Sequence, residues 1–146
     1  MKFKISKVLA ARNHSFDMDL VLLIVRVIVG YAFIMHGWGK IQAATHWMGP
    51  DSPVPGFLQF LAALSEFGGG IALIVGLLTR LAALGLLCTM SVAVFMHAYI
   101  MGDPFVAMGP GGRSFELALI YLIISLLLLI SGPGRFSLDR KVFGSK

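Results

Sequence analysis

Two long windows of the sequence, residues 81–102 and 117–134, contain no Asp, Glu, Lys or Arg. A helix that crosses the hydrocarbon core of a bilayer needs about 20 predominantly apolar residues. A charge-free apolar stretch of this length is typical of a transmembrane helix. The two windows therefore predict membrane-spanning helices at about 81–100 and 115–131.

Two further stretches are almost as apolar. Residues 19–38, which begin at Asp19, contain one charge in their interior, Arg26, and residues 57–77 contain only Glu66. We predict that both are membrane spans that carry one buried charge each. Proline removes a helix hydrogen bond, and all six prolines fall outside the four predicted spans: Pro50, Pro53, Pro55, Pro104, Pro110 and Pro133.

The composition agrees with a membrane protein. Of the 146 residues, 58% are hydrophobic and 13% are charged, whereas an average soluble domain carries about 25% charged residues. Such a composition excludes an intrinsically disordered chain, an ordinary nucleic-acid-binding module and most cytosolic enzymes. We predict an all-α polytopic membrane protein, an antiparallel bundle of four transmembrane helices that forms a single domain over residues 19–134. Its expected partner is the lipid bilayer, and no nucleic acid is expected.

The distribution of positive charge predicts the orientation. Lys and Arg accumulate on the cytoplasmic side of membrane proteins. Only Lys40 and Arg113 fall on one side of the predicted bundle, so we expect both termini in the cytoplasm, with a basic arm over residues 1–18, no cleaved signal peptide, and a basic tail over 135–146. The other side collects nine basic residues: Lys2, Lys4, Lys7, Arg12, Arg80, Arg135, Arg140, Lys141 and Lys146.

The charges inside the predicted spans need partners. A charged residue at the centre of a membrane helix costs about 2.5–3.5 kcal/mol on insertion scales and usually faces the bundle interior. Counting inward from Trp38 and Phe57 at the outer ends places Arg26 and Glu66 within roughly 4–5 Å in depth. We predict a buried ion pair between them, which either locks the bundle or forms a proton or ligand site.

A second polar group is expected near the outer membrane face. His36, His97 and Glu116 all lie within about one helical turn of it, with Lys40 and Arg113 nearby in sequence. Histidine can shuttle protons or hydrogen-bond a quinone carbonyl, and a carboxylate can exchange its proton. These five residues are therefore candidate ligand-binding residues, and the first three are candidate catalytic residues. The alternative is that the histidines are simply solvated and that Glu116 favourably opens the fourth helix.

The sequence contains few residues that could bind a cofactor. Cys88 is the only cysteine, so the chain cannot form an intramolecular disulfide or a thiolate zinc site. No metal site is expected, because the histidines have no local metal-ligand spacing. Two histidines on parallel helices could clamp a haem, but a quinone-type small molecule is the stronger expectation.

Five segments of the sequence resemble the DoxX family in order. They are residues 22–40, which run from LLIVR to MHGWGK; 64–80, from LSEFGGG to GLLTR; 96–97, MH; 116–119, ELAL; and 132–139, GPGRFSLD. The resemblance covers about residues 20–140. The residues of this sequence that match polar positions of the family's motifs are Arg26, His36, Lys40, Glu66, Arg80, His97 and Glu116.

This resemblance implies a four-helix bacterial inner-membrane protein in a redox setting. Members of the broader family are linked to thiosulfate:quinone oxidoreductase, to quinone and catechol handling, and to complexes with thiol-oxidising and superoxide-removing enzymes. The resulting hypothesis is a membrane subunit that holds a quinone-like molecule near the outer face and receives electrons from a partner protein. The alternatives are a non-catalytic scaffold that docks a partner enzyme and, with less support, a small-solute transporter that would require a homo-oligomer.

Overall fold

The computed structural model describes residues 9–145, and these form helices without any strand. The basic residues Lys2, Lys4, Lys7 and Lys146 lie outside the described part. Four long helices are joined by turns and are followed by one short helix. They are α1 (Phe16–Gln42), α2 (Gly56–Val75), α3 (Thr79–Phe95, continued by a π-helical turn over Met96–Ile100), α4 (Glu116–Ser131) and α5 (Leu138–Phe143).

Three of these helices are long and apolar enough to cross a membrane: α1, α2 and α3 with its π-helical turn. α4 is apolar but has 16 residues, which gives roughly 24 Å of helix against a hydrocarbon core of about 30 Å. The prediction of an all-helical membrane protein is therefore confirmed. The largest difference in bounds is in α1, which begins three residues before the predicted span 19–38 and ends four residues after it.

α1 and α2 approach each other closely through glycine. A Cβ added at Gly70 would lie 2.6 Å from the carbonyl oxygen of Gly30, and one added at Gly30 would lie 2.7 Å from that of Gly70. Further along, a Cβ at Gly37 would lie 2.5 Å from the backbone nitrogen of Phe67. Small residues permit this kind of backbone contact between membrane helices.

The long helices pack in chain order, α1 on α2, α2 on α3 and α3 on α4. α1 and α4 stay further apart and meet through the rings of Phe33 and Tyr121, whose centroids are 4.9 Å apart. Leu22, Leu73, Leu86 and Leu128 are fully buried in the core. Because the α1–α4 contact depends on side chains rather than on close backbones, it leaves room for a cavity.

The tail closes one end of the bundle. The carboxylate of Asp139 accepts hydrogen bonds from the backbone N–H groups of Leu78, at 2.6 Å, and Thr79, at 2.9 Å. It therefore caps α3, whose first residues have no side-chain cap of their own. In return, the N–H of Asp139 donates to the carbonyl oxygen of Gly76 at 2.8 Å. The tail, the tight α2–α3 turn and the first turn of α3 thus form one unit.

Candidate functional site

A cavity of about 230 Å³ lies among the four long helices. Phe33 and Met90 form part of its apolar wall, and both are buried. His36 is exposed at its edge, so the cavity is open on that side. The polar side chains that line it are His36 and Lys40 from α1, Glu66 from α2, His97 from the π-helical turn, Ser114 just before α4, and Tyr121 from α4.

Lys40 and Glu66 form an ion pair at this cavity. The Lys40 Nζ atom donates to both carboxylate oxygens of Glu66, at 2.6 and 2.7 Å. The Glu66 side chain is 2% exposed and the Lys40 side chain 28%. The same ammonium group lies 4.7 Å from the centre of the Trp47 ring, within cation–π range.

The predicted ion pair between Arg26 and Glu66 is wrong. The two terminal nitrogens of Arg26 donate instead to the backbone carbonyl oxygens of Pro133 and of Phe136, the latter at 2.7 Å. Arg26 therefore holds the tail against the bundle.

The prediction is wrong because it placed α1 at the wrong height relative to α2. The depth estimate started α1 at Trp38, but α1 continues to Gln42. Gly37 packs against Phe67, the neighbour of Glu66, whereas Arg26 contacts Gly76 at the far end of α2. Arg26 is eleven residues before Gly37, so it lies roughly 16 Å from the level of Glu66.

His97 is held by an acidic residue that the sequence analysis did not identify. Its Nδ1 atom lies 2.7 Å from Oδ2 of Asp103, whose side chain is 6% exposed. A carboxylate only accepts hydrogen bonds, so Nδ1 carries the proton and Nε2 stays free in the neutral ring. The other Asp103 oxygen lies 3.2 Å from Nε of Arg113. Asp103 therefore links the His97 ring, through a hydrogen bond, to the Arg113 guanidinium, through an ion pair.

The π-helical turn makes this contact possible. The N–H of Met101 donates to the carbonyl oxygen of Met96, five residues earlier, and the N–H of Asp103 donates to that of His97. The chain therefore leaves the helix in a wide turn that brings Asp103 back to the His97 ring. Single π-helical turns inside α-helices are frequent at functional sites.

His36 lies beside Tyr121. The two ring centroids are 6.0 Å apart in an edge-on arrangement, and Tyr121 also packs on Phe33. Tyr121 thus lines the cavity through the same contact that joins α1 to α4. In an apolar helix, a tyrosine of the core and a tyrosine of a site look the same in the sequence, so Tyr121 could not be identified as a site residue from the sequence.

Two of the five predicted ligand-binding residues do not line the cavity. Arg113 contacts Asp103, and 65% of its side chain is exposed. Glu116 begins α4, and its backbone N–H donates to the carbonyl oxygen of Phe105 at 3.1 Å. The structure therefore brings together His36, Lys40, His97 and Glu66 at the cavity, and Arg113 and Glu116 are not among its lining residues. The ligand roles predicted for all of them stay predictions.

The cavity is small for a ligand pocket. Its volume is below the roughly 300–1,000 Å³ of common ligand pockets, which suits a single ring rather than a macrocycle. The Nε2 atom of His97 is not used by the contact with Asp103, while His36 and Tyr121 add groups that can donate hydrogen bonds. Within residues 9–145, no three His, Cys, Asp or Glu side chains are grouped closely enough to hold a metal ion.

This architecture defines a class: a small helical integral membrane protein with an ion-paired, histidine-containing cavity among its spans. The profile of the DoxX family matches residues 21–98. The chain belongs to the DoxX family.

Several relatives are similar in sequence to this chain along most of its length. It is 38% identical over 124 residues to "Inner membrane protein YqjF" of Escherichia coli (strain K12), which covers 84% of this chain and 92% of YqjF. It is 33% identical over 129 residues to "Inner membrane protein YphA" of the same organism, covering 84% and 90%. It is 30% identical over 136 residues to "Putative oxidoreductase CatD" of Bacillus subtilis (strain 168), covering 92% and 94%. The chain is thus a multi-pass protein of the bacterial inner membrane. No solved structure matches it.

Proposed function

We propose that this protein is the membrane subunit of a quinone-linked redox complex and that it binds a quinone-like head group in the cavity. The observation that carries the proposal is the cavity itself, which combines His36, His97 and Tyr121 with an ion pair in an apolar surround. A buried polar network without a cavity would instead favour a scaffold that docks a partner enzyme. The name of one relative, "Putative oxidoreductase CatD", supports the same class.

Each polar residue has a role in this proposal. His36 and Tyr121 would donate hydrogen bonds to a carbonyl oxygen of the ring. His97, whose ring proton Asp103 keeps on Nδ1, would accept at Nε2 a hydrogen bond from a hydroxyl group of the reduced ligand. Lys40 holds Glu66 in the wall of the cavity, where that carboxylate can exchange a proton with the ligand. A bound quinone would supply reversible acceptance of two electrons and two protons.

Electrons come from a partner protein in this proposal. Cys88 is the only cysteine, so this chain cannot form a dithiol pair of its own. The partner approaches on the outer face if the helices form an antiparallel four-helix bundle with both termini in the cytoplasm. This orientation belongs to the proposal, and the excess of basic residues at the tail end supports it.

The test is quinone binding by protein purified in mild detergent. We expect a short-chain ubiquinone to bind the wild type, with a redox-difference spectrum at near-stoichiometric level, and to bind the double variant His36→Ala/His97→Ala at least tenfold more weakly. His46→Ala is the matched control, because His46 is exposed and lies outside the cavity. Equal binding by the wild type and the double variant would contradict the site. No quinone binding by the wild type would favour the scaffold, and capture of partner proteins would then follow.

A further inference from the structure

A second groove, of about 300 Å³, lies at the opposite end of the molecule from the first cavity. It is formed by the last residue of α2, the segment after α4 and the start of α5. Its lining residues are Val75, Arg135, Phe136, Ser137, Leu138 and Lys141. The quinone-linked function proposed above does not use any of them.

The groove carries net positive charge. Arg135 is held by Asp19, whose Oδ2 lies 3.3 Å from its Nε, and 47% of its side chain is exposed. The two terminal nitrogens of Arg135 make no hydrogen bond to any residue between 9 and 145. Lys141 is exposed, and no carboxylate within that range pairs with it. One carboxylate therefore offsets two cations, and three terminal nitrogens stay available to an anion.

Apolar side chains are exposed beside these cations. Val75 is 42% exposed, Phe136 40% and Leu138 39%. Val75 is the last residue of a helix long enough to span the membrane. The groove therefore lies at the level where hydrocarbon gives way to headgroups, with apolar and cationic surfaces next to each other.

We propose that this groove binds the phosphate group of an anionic phospholipid in the leaflet that faces the tail. Arg135 and Lys141 contact the phosphodiester, and Phe136 and Leu138 pack against the acyl chains. Basic pockets next to transmembrane helices recognise anionic headgroups in this way, and arginine suits phosphate because its guanidinium is planar and carries several donors. A phospholipid fits better than free phosphate because a free anion leaves the apolar half of the groove uncovered.

Native mass spectrometry tests this proposal on the full-length protein released from nanodiscs. The discs contain either phosphatidylcholine alone or phosphatidylcholine mixed with phosphatidylglycerol. We expect the wild type to retain phosphatidylglycerol in preference to phosphatidylcholine. Lys141→Glu and the milder Lys141→Gln should lower this retention, by about fivefold for each unit of charge removed. Lys141 is exposed, so both variants should keep the thermal unfolding midpoint of the wild type.

Arg12→Glu is the matched control, because Arg12 is an exposed basic residue near the same end but does not line the groove. Unchanged retention in this control supports the proposal. Equal retention of both lipids by the wild type would overturn it, and so would an equal loss in Arg12→Glu and Lys141→Glu, which would indicate general surface charge. Displacement of the lipid by millimolar inorganic phosphate would also overturn it, because it would identify a free-anion site. None of these outcomes depends on quinone binding.

Discussion

The ion pair with Lys40 stabilises the buried negative charge of Glu66. Its side chain is 2% exposed, and taking a carboxylate out of water costs several kcal/mol unless the charge is paired and hydrogen-bonded. Both of its oxygens are within 2.7 Å of the Lys40 ammonium group. Removing either partner therefore leaves an uncompensated group, whereas removing both does not.

We expect Glu66→Gln to lower the free energy of unfolding by about 3 kcal/mol, at the lower end of the range for breaking a buried pair, since Lys40 keeps partial access to solvent. The double variant Lys40→Met/Glu66→Gln should recover most of this loss. Thermal or denaturant unfolding in detergent measures both, with Asp51→Asn as a control at an exposed acid. If Glu66→Gln unfolds like the wild type, the ion pair has no structural role.

Asp103 is expected to fix the tautomer of His97. In the wild type the ring should carry its proton on Nδ1, because the carboxylate 2.7 Å away accepts it. Asp103→Ala removes that acceptor, so the ring should populate both tautomers. The ¹⁵N chemical shifts of the histidine ring in selectively labelled protein distinguish the two states. Arg113→Gln removes only an exposed contact and should leave the His97 proton on Nδ1. If the ¹⁵N chemical shifts of His97 are the same in Asp103→Ala as in the wild type, Asp103 does not fix the tautomer.

The three consecutive glycines of α2 are not equivalent as packing elements. A Cβ at Gly70 meets the backbone of α1 at 2.6 Å, whereas a Cβ at Gly69 meets only Leu86 side-chain atoms, from 3.5 Å outward. Backbone cannot move aside as a flexible side chain can. The α1–α2 contact therefore requires glycine at residue 70 and tolerates a methyl group at residue 69.

We expect Gly70→Ala to lower the free energy of unfolding by about 1–3 kcal/mol, the usual cost of overpacking a tight contact. Gly69→Ala should be neutral or slightly stabilising, because it adds helix propensity without a clash. The pair forms its own control, since the two sites are adjacent and undergo the same chemical change. Equal unfolding midpoints in detergent for the two variants would contradict the close glycine contact.

The sequence predicts the helices better than their register. The charge-free and nearly charge-free windows locate each long helix within a few residues, because hydrocarbon thickness alone requires long apolar stretches. Which charged side chains of α1 and α2 face each other depends on how far α1 extends past Trp38. The pattern of apolar residues does not show where α1 ends. The same limit explains why Lys40 was recognised as a site residue while its partner Glu66 was assigned to Arg26.

The π-helical turn was also beyond the sequence analysis. Residues 96–100 continue the window 81–102, which contains no Asp, Glu, Lys or Arg, so the sequence does not reveal the wider turn that brings Asp103 to His97. An acid six residues after a predicted site histidine was the one available signal. An acid at this spacing reaches the histidine ring only when the helix between the two residues ends in a π-helical turn.

At the scale of the whole molecule, most of the basic residues between 9 and 145 lie at the end opposite the cavity. The tail, the α2–α3 turn and residue 11 meet at one end, where the N–H of Ala11 donates to the carbonyl oxygen of Gly144 and a terminal nitrogen of Arg80 donates to that of Leu129. Lys40 and Arg113 lie at the cavity end. For the basic residues between 9 and 145, the uneven distribution of charge along the sequence is therefore also an uneven distribution in space. The orientation rule uses this asymmetry.

This segregation predicts that the cavity end faces outward and the tail end faces the cytoplasm. In a Cys88→Ser background, we expect a membrane-impermeant maleimide to label Met108→Cys in intact spheroplasts and to label Val142→Cys only after permeabilisation. Both positions are well exposed, at 84% and 62%, so a difference in labelling reports the side of the membrane rather than burial. The reverse pattern would place the cavity on the cytoplasmic side. Any proton exchange through His97 and Asp103 would then take place with the cytoplasm, and an electron-donating partner would have to dock there.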